Sequence, residues 1–239
     1  MNTREHGRKV AGLFDSIARW YDFLNHFLSA GQDIYWRYRL VHGVRMGKTG
    51  RILDLAAGTL DVSLEILRQH PGARVLAMDF SRAMLVQGKG KVPEKFENQL
   101  HLAQADGRLL PLPDASVDCV TIAFGIRNIL PRREAYEEIM RVLAPGGRLC
   151  ILEFGTGRTR IWKGVYNLYL NRILPLIGRV VSRDSTAYQY LADTIIGFPS
   201  ARELAGELYD AGFSRVHFAP MCSGIVYLHT AEKEGPRSL

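Results

Sequence analysis

Apolar positions along the chain fall into two kinds of spacing. At 51–56, 74–79, 100–105, 117–124 and 147–154 they form short, nearly continuous runs. A strand buried on both faces reads this way, because neither face needs polar side chains. Each of the first four runs is followed by a turn and then by apolar residues at helical spacing. That repetition predicts a parallel sheet with helices on both faces. Ahead of it, Val10, Leu13, Phe14, Ile17, Ala18 and Tyr21 mark a helical stripe within 7–28, and a second helix is expected over 33–46. The Pro145-Gly146-Gly147 step is expected to end a helix and turn into the fifth strand. Residues 158–197 break the rhythm with a long aromatic and basic helical insertion that Pro175 must bend or split. A helix over 199–211 and two strands around Ser223-Gly224 then close the chain as an antiparallel hairpin. The pattern as a whole reads as one α/β domain over 1–239, with an N-terminal helical cap over about 1–48 and an insertion over about 158–197.

Composition narrows the classes. The chain has 239 residues, 47% of them hydrophobic, enough for a sizeable core. Its net charge of +7 permits nucleic acid, an anionic membrane surface or an acidic ligand as partner and selects none of them. No apolar signal-peptide core is visible near the start, and no run of 18 apolar residues occurs. Cys119, Cys150 and Cys222 lie far apart, two of them inside apolar runs, and read as reduced core residues of a cytosolic protein. There is no CxxC and no paired-histidine spacing, so no metal site is expected.

Candidate chemistry sits at the first turn, in the stretch ILDLAAGTLDVSLEIL. Ligands of open parallel sheets bind outside the carboxyl ends of the strands, and here a single glycine, Gly58, lies between strand and helix. A phosphate-binding loop needs GxxxxGK followed by Ser or Thr; the nearest match, GVRMGKT at 43–49, is one residue short and precedes its strand. A dinucleotide turn needs GxGxxG, which AAGTLD lacks. S-adenosylmethionine has no pyrophosphate, so one close backbone approach suffices. Asp79 ends the second strand about twenty residues on, where an acid can accept hydrogen bonds from two ribose hydroxyls, while Ser81 is the better helix cap. Asp106, after the third strand, can face an adenine amino group. A ribose-binding acid serves nicotinamide cofactors equally well, so on the residues alone both cofactors stay open.

The motifs FDSIARWYDFLNHFLSAGQDIYW, LDLAAGTLD, TIAFGIRN, RVLAPGGRLCILEF and AYQYLADTI resemble those of the UbiE/MenG family of quinone-ring C-methyltransferases, and the resemblance runs from about Val10 to His229. It implies the class I S-adenosylmethionine-dependent methyltransferase fold, a seven-stranded, mostly parallel sheet. It implies S-adenosyl-L-methionine as cofactor and a prenylated quinol as acceptor, in menaquinone or ubiquinone formation. Asp54, Gly58, Thr59, Asp79, Phe80, Asp106, Gly107 and Ala123 are its expected cofactor residues. The sequence departs from the family pattern at Asp33, where His is usual, at Ala57 and Leu60, where the loop has glycines, and at Ala123, where Ser is usual. Leu60 brings a β-carbon into the turn.

The implied reaction moves a methyl group from sulfonium sulfur to a ring carbon, which becomes a good nucleophile once the neighbouring phenol, of pKa near 10, loses its proton. Arg127 is the expected anion stabiliser and Asn128 the expected hydrogen-bond partner of a quinol oxygen, with a carboxylate such as Asp106 as the structural alternative for Arg127. Tyr21 and Tyr190 are expected in the substrate pocket; Asp61 reads as a helix cap and His26 as structural. Trp162, Tyr166 and Leu170, interspersed with Lys163 and Arg172, fit an interfacial helix or a pocket lid. Peripheral contact with the inner membrane and a homodimer are compatible with this picture. Nucleic acid is not an expected partner, because the known module signatures are missing. The competing classes are a methyltransferase for another small acceptor, a nicotinamide oxidoreductase and a non-catalytic binding module.

Overall fold

Period-two alternation within the apolar runs divides the central strands between two cores. The computed structural model describes residues 7, 10–15, 22–23, 25–27, 29–155, 190 and 193–235. Seven strands form one sheet: β1 (Arg51–Leu55), β2 (Arg74–Asp79), β3 (Leu100–Gln104), β4 (Val117–Ala123), β5 (Leu143–Phe154), β6 (Ser214–Met221) and β7 (Val226–Glu232). Their order is β3-β2-β1-β4-β5-β7-β6. The first five pair in parallel, and β7 runs antiparallel to both β5 and β6. The expected parallel sheet and closing hairpin are therefore present.

Among the described residues, the helices with assigned bounds that accompany the sheet are α1 (Gln32–His42), α2 (Asp61–Gln69), α3 (Arg82–Lys89), α4 (Arg132–Val142) and α5 (Ala201–Asp210). On one face Ile52, Val75, Cys119 and Cys150 pack with Leu40, Leu64 and Leu67. On the other, Leu53, Val120, Leu149 and Ile151 pack with Ile139, Leu204 and Leu208. Along β5 the side chains switch core at every residue from Leu149 to Leu152, as a pleated strand requires. Helix α5 begins where Ser200 and Glu203 form a reciprocal capping box.

Three local expectations change. No helix follows β3, because residues 105–116 cross to β4 as turns and extended chain. The Pro145-Gly146-Gly147 step does not precede the fifth strand but lies inside it, since α4 ends at Val142 and β5 starts at Leu143, with a register shift against β4 between Val117 and Cys119. Helix α1 stops at His42 rather than 46, its C-terminal carbonyls met by the Gly43 amide. The described part of 7–28 is helical. The predicted insertion lies outside the described residues apart from Tyr190 and 193–197, and with it the proposed lid residues Trp162, Lys163, Tyr166, Leu170 and Arg172.

Candidate active site

The carboxyl ends of β1, β2 and β4 open onto a cleft that is continuous with solvent. Its floor is the turn after β1. Ala56, Gly58 and Leu60 all take left-handed backbone conformations, with φ of 54°, 53° and 71°. Such a chain costs nothing at glycine and roughly 1–2 kcal/mol at a residue bearing a β-carbon. Leu60 nevertheless does not project into the cleft. It is fully buried in the core, and a β-carbon added at Gly88 in α3 would come within 2.6 Å of its side chain. Gly88 thus leaves the room that Leu60 fills. The β-carbon that the sequence places in the turn is turned away from the ligand side.

Asp79 stands at the tip of β2 and lines the cleft. Its Oδ2 accepts the Gly58 amide at 2.8 Å and its Oδ1 the Ser81 amide at 2.8 Å. It does not cap the next helix: Ser81 does, accepting the Met84 amide at 3.1 Å. Burial pushes the Asp79 carboxyl above its ordinary pKa, against the pull of the Ser81 and Gly58 amides. Phe80, Gly107 and Ala123 line the same cleft. Asp106 does too, but its carboxylate is clasped by the Arg108 guanidinium, with Nε at 2.9 Å from Oδ1 and Nη2 at 2.6 Å from Oδ2. Arg108 was missed, and so was the opposite wall. Gly7, Val10, Ala11 and Phe14 of the N-terminal segment close over the cleft. The Val10–Phe14 stripe was the available signal, although periodicity alone does not say what a helix covers.

Three expected site residues occupy other places. Asp54 is buried behind the turn and accepts hydrogen bonds from the Ser63 hydroxyl at 2.6 Å and the Thr121 hydroxyl at 2.8 Å. Burial pushes its carboxyl up to about 6. Thr59 is buried as well, its hydroxyl donating to Asp22. Both residues hold the turn in shape and lie outside the cleft lining. Arg127, in a 3₁₀ turn over Ile126–Asn128, is buried behind the wall, with Nη1 donating to Glu153 at 2.7 Å and to the Phe124 carbonyl. Its carboxylate partner is Glu153, not Asp106, and it faces the Phe154 ring at 5.5 Å. Arg127 Nε and Glu153 Oε2 are buried and have no partner among the described residues. Asn128 does line the cleft, and its Oδ1 accepts the Tyr190 hydroxyl at 3.2 Å. Tyr21 lies outside the described residues.

A chain of charges joins the N-terminal segment to the turn. Asp33 accepts from His26 Nδ1 at 2.6 Å, Ser29 at 2.7 Å and Arg37 at 2.7 Å. Burial would raise the Asp33 carboxyl, but Ser29, Arg37 and His26 outweigh it and leave the pKa lowered. Arg37 reaches Asp61 at 3.2 Å, and Lys91 bridges Asp61 and Asp22 at 2.7 Å each. Asp61 therefore does not cap α2, whose N-cap is Leu60 without a side-chain bond; it anchors the helix start to α1 and to the 22–27 segment.

Relatives extend this picture. The chain is 41% identical over 231 residues, 96% of its length and 90% of the relative's, to a protein of Geobacter sulfurreducens named ubiquinone/menaquinone biosynthesis C-methyltransferase UbiE. Solved structures share the fold at low identity. A S-adenosylmethionine-dependent methyltransferase of Thermotoga maritima, described as a possible histamine N-methyltransferase, superposes with a TM-score of 0.67 at 13% identity, over 94% of this chain and all of that one. The [4+2]-cyclase SpnF reaches 0.70 at 15% identity over 96% and 97% of the two chains, so the fold by itself does not fix the reaction. Sequence decides what the fold leaves open: the profile of the ubiE/COQ5 methyltransferase family matches residues 2–233, and the chain belongs to that family of methyltransferases.

Proposed function

We propose that the chain binds S-adenosyl-L-methionine in the cleft above β1, β2 and β4 and methylates a ring carbon of a prenylated quinol, in ubiquinone or menaquinone formation. One observation carries the cofactor reading: the Asp79 carboxylate, fixed at both oxygens by backbone amides, lines the same cleft as the one-glycine turn. A carboxylate oxygen has more than one acceptor position, so each oxygen of Asp79 keeps capacity for a ribose hydroxyl. Phe80, Val10 and Phe14 supply apolar surface for a flat base, and the Arg108 clasp fixes Asp106 beside it. The residues present fit the cofactor, which when bound supplies an electrophilic methyl on a positively charged sulfur.

The protein's part of the chemistry is to place and ionise the acceptor. Asn128, its Oδ1 occupied by the Tyr190 hydroxyl, turns its amide nitrogen to a quinol oxygen. Arg127 acts from behind this contact. Its charge favours the phenolate, and the phenol proton leaves to the solvent with which the cleft is continuous. The guanidinium stays protonated throughout, so it orients and stabilises but is not itself the base. The ring can be a benzoquinol or a naphthoquinol. A homodimer and a peripheral position on the inner membrane, on the cytoplasmic side, belong to the same reading.

Calorimetric titration tests the cofactor half. S-adenosylmethionine or S-adenosylhomocysteine is expected to bind with micromolar affinity, and NAD not to bind. Binding of NAD alone would contradict the proposal.

A further inference from the structure

The outward face of α1 has the composition of a lipid-facing surface. Ile34 and Tyr38 lie one turn apart, with Tyr35 and Arg39 beside them and His42 at the end, and all are exposed. Ile34 is 61% exposed, unusual for a residue of its type. The preceding helical segment adds Phe23 and Phe27, 54% and 59% exposed and stacked with ring centroids 5.9 Å apart. Only two acids occur between residues 22 and 48, and both are spent inward: Asp33 is buried against Arg37, and Asp22 is paired with Lys91. The exposed charges of this stretch are cationic, from Arg39, Lys48 and Arg45, the last also paired with Glu232 at 2.8 Å. Arg39 lies against Tyr35, donating to its hydroxyl at 2.9 Å. On the opposite side of α1, Trp36 packs against Phe124 of the cleft wall at 6.0 Å.

We propose that this face, from Phe23 to Lys48, docks the enzyme on an anionic bilayer. Aromatic and branched apolar side chains sink into the headgroup boundary, while arginine and lysine stay with the anionic headgroups; a protein partner would not need a surface so one-sided in charge. The inference extends the reading above, since a prenylated acceptor dissolves in a bilayer and not in water. Docking through α1 sets the cleft wall one helix thickness from the lipid.

The test is flotation of the full chain with vesicles of phosphatidylcholine, alone or mixed with phosphatidylglycerol, together with hydrogen–deuterium exchange of the wild type. Binding is expected to the mixed vesicles, weakened but not abolished by salt, with new protection confined to residues 22–48. The exposed-site variant Phe27→Ser/Ile34→Ser is expected to lose about tenfold or more in partitioning, the scale of two apolar side chains left in water. Equal flotation of variant and wild type, or exchange protection elsewhere, overturns the proposal. So does a wild-type dimer that the variant loses without any vesicle binding, which would assign the face to a second copy. Methyl transfer to a short-tailed, water-soluble quinol is measured alongside and is expected unchanged in the variant. A wild type that floats as predicted but does not methylate that quinol keeps the docking surface and overturns the reaction.

Discussion

Asp79 holds two backbone amides as well as the cofactor's proposed ribose, so its replacement acts on both. Asp79→Ala would leave the Gly58 and Ser81 amides without their acceptor and disturb the turn itself. Asp79→Asn keeps the shape and one acceptor oxygen. Titration with S-adenosylhomocysteine is expected to show an affinity loss of one to two decades, from charge-assisted bonds of roughly 1.5–3 kcal/mol. Unchanged affinity with a lowered melting temperature would make Asp79 a support of the turn and nothing more. Arg127 poses a related problem. Removing it strands the buried Glu153 carboxylate, a loss of about 3–5 kcal/mol, so Arg127→Ala cannot separate catalysis from folding. Arg127→Lys retains the charge but not the planar guanidinium whose Nη1 reaches both Glu153 and the Phe124 carbonyl. Its kcat is expected to fall by about one to two decades with cofactor affinity unaltered. Wild-type kcat in that variant would leave the pair a purely structural role.

At the scale of elements, the turn between β1 and α2 is shaped by groups distant in sequence. Leu60 carries left-handed strain of roughly 1–2 kcal/mol but buries a whole side chain against Gly88. Deleting a buried leucine side chain costs about 2.7–5 kcal/mol, so burial wins. Leu60→Gly is expected to lower stability by about 2 kcal/mol in denaturant unfolding; a gain in stability would show that strain dominates. Asp54 adds a pH signature. Its carboxyl rises from the ordinary 3.8 to about 6 through burial, so the folded protein holds the proton more tightly than the unfolded chain. The associated stability is complete below about pH 4 and is lost as pH rises to about 6, on the order of 3 kcal/mol in all. Asp54→Asn, neutral throughout, should flatten the stability profile across that window; an unchanged slope would place the titration on another group. The sheet was legible because strands buried on both sides must be apolar throughout, and Gly58 marked the turn. What the strand runs did not show was which polar groups are spent on support. Asp54 finds Thr121 across β4, Arg127 finds Glu153 at the end of β5, and Leu60 finds its space at Gly88. Each partner is fixed by tertiary contact, to which local periodicity is blind.

Across the whole molecule, the N-terminal segment covers the cleft, and the chain of charges from His26 to Thr59 ties that cover to the ligand turn. The family is one of methyltransferases, and the expected site residues divide between the cleft and the layer behind it. Gly58, Asp79, Phe80, Asp106, Gly107, Ala123 and Asn128 converge on the cleft, whereas Asp54, Thr59 and Arg127 stand behind it. Convergence was foreseeable for residues at strand tips, since parallel sheets bind ligands there. The contribution of Val10 and Phe14 was not, because a helix stripe says that something is covered but not what. The most direct measurement is incubation of the protein with methyl-labelled S-adenosylmethionine and a panel of reduced benzoquinone and naphthoquinone precursors, followed by mass analysis of the products. A single labelled methyl on a ring carbon of one precursor class is the predicted result. Label on oxygen or nitrogen of an acceptor, or no label on any quinol under conditions where the cofactor is bound, would contradict it.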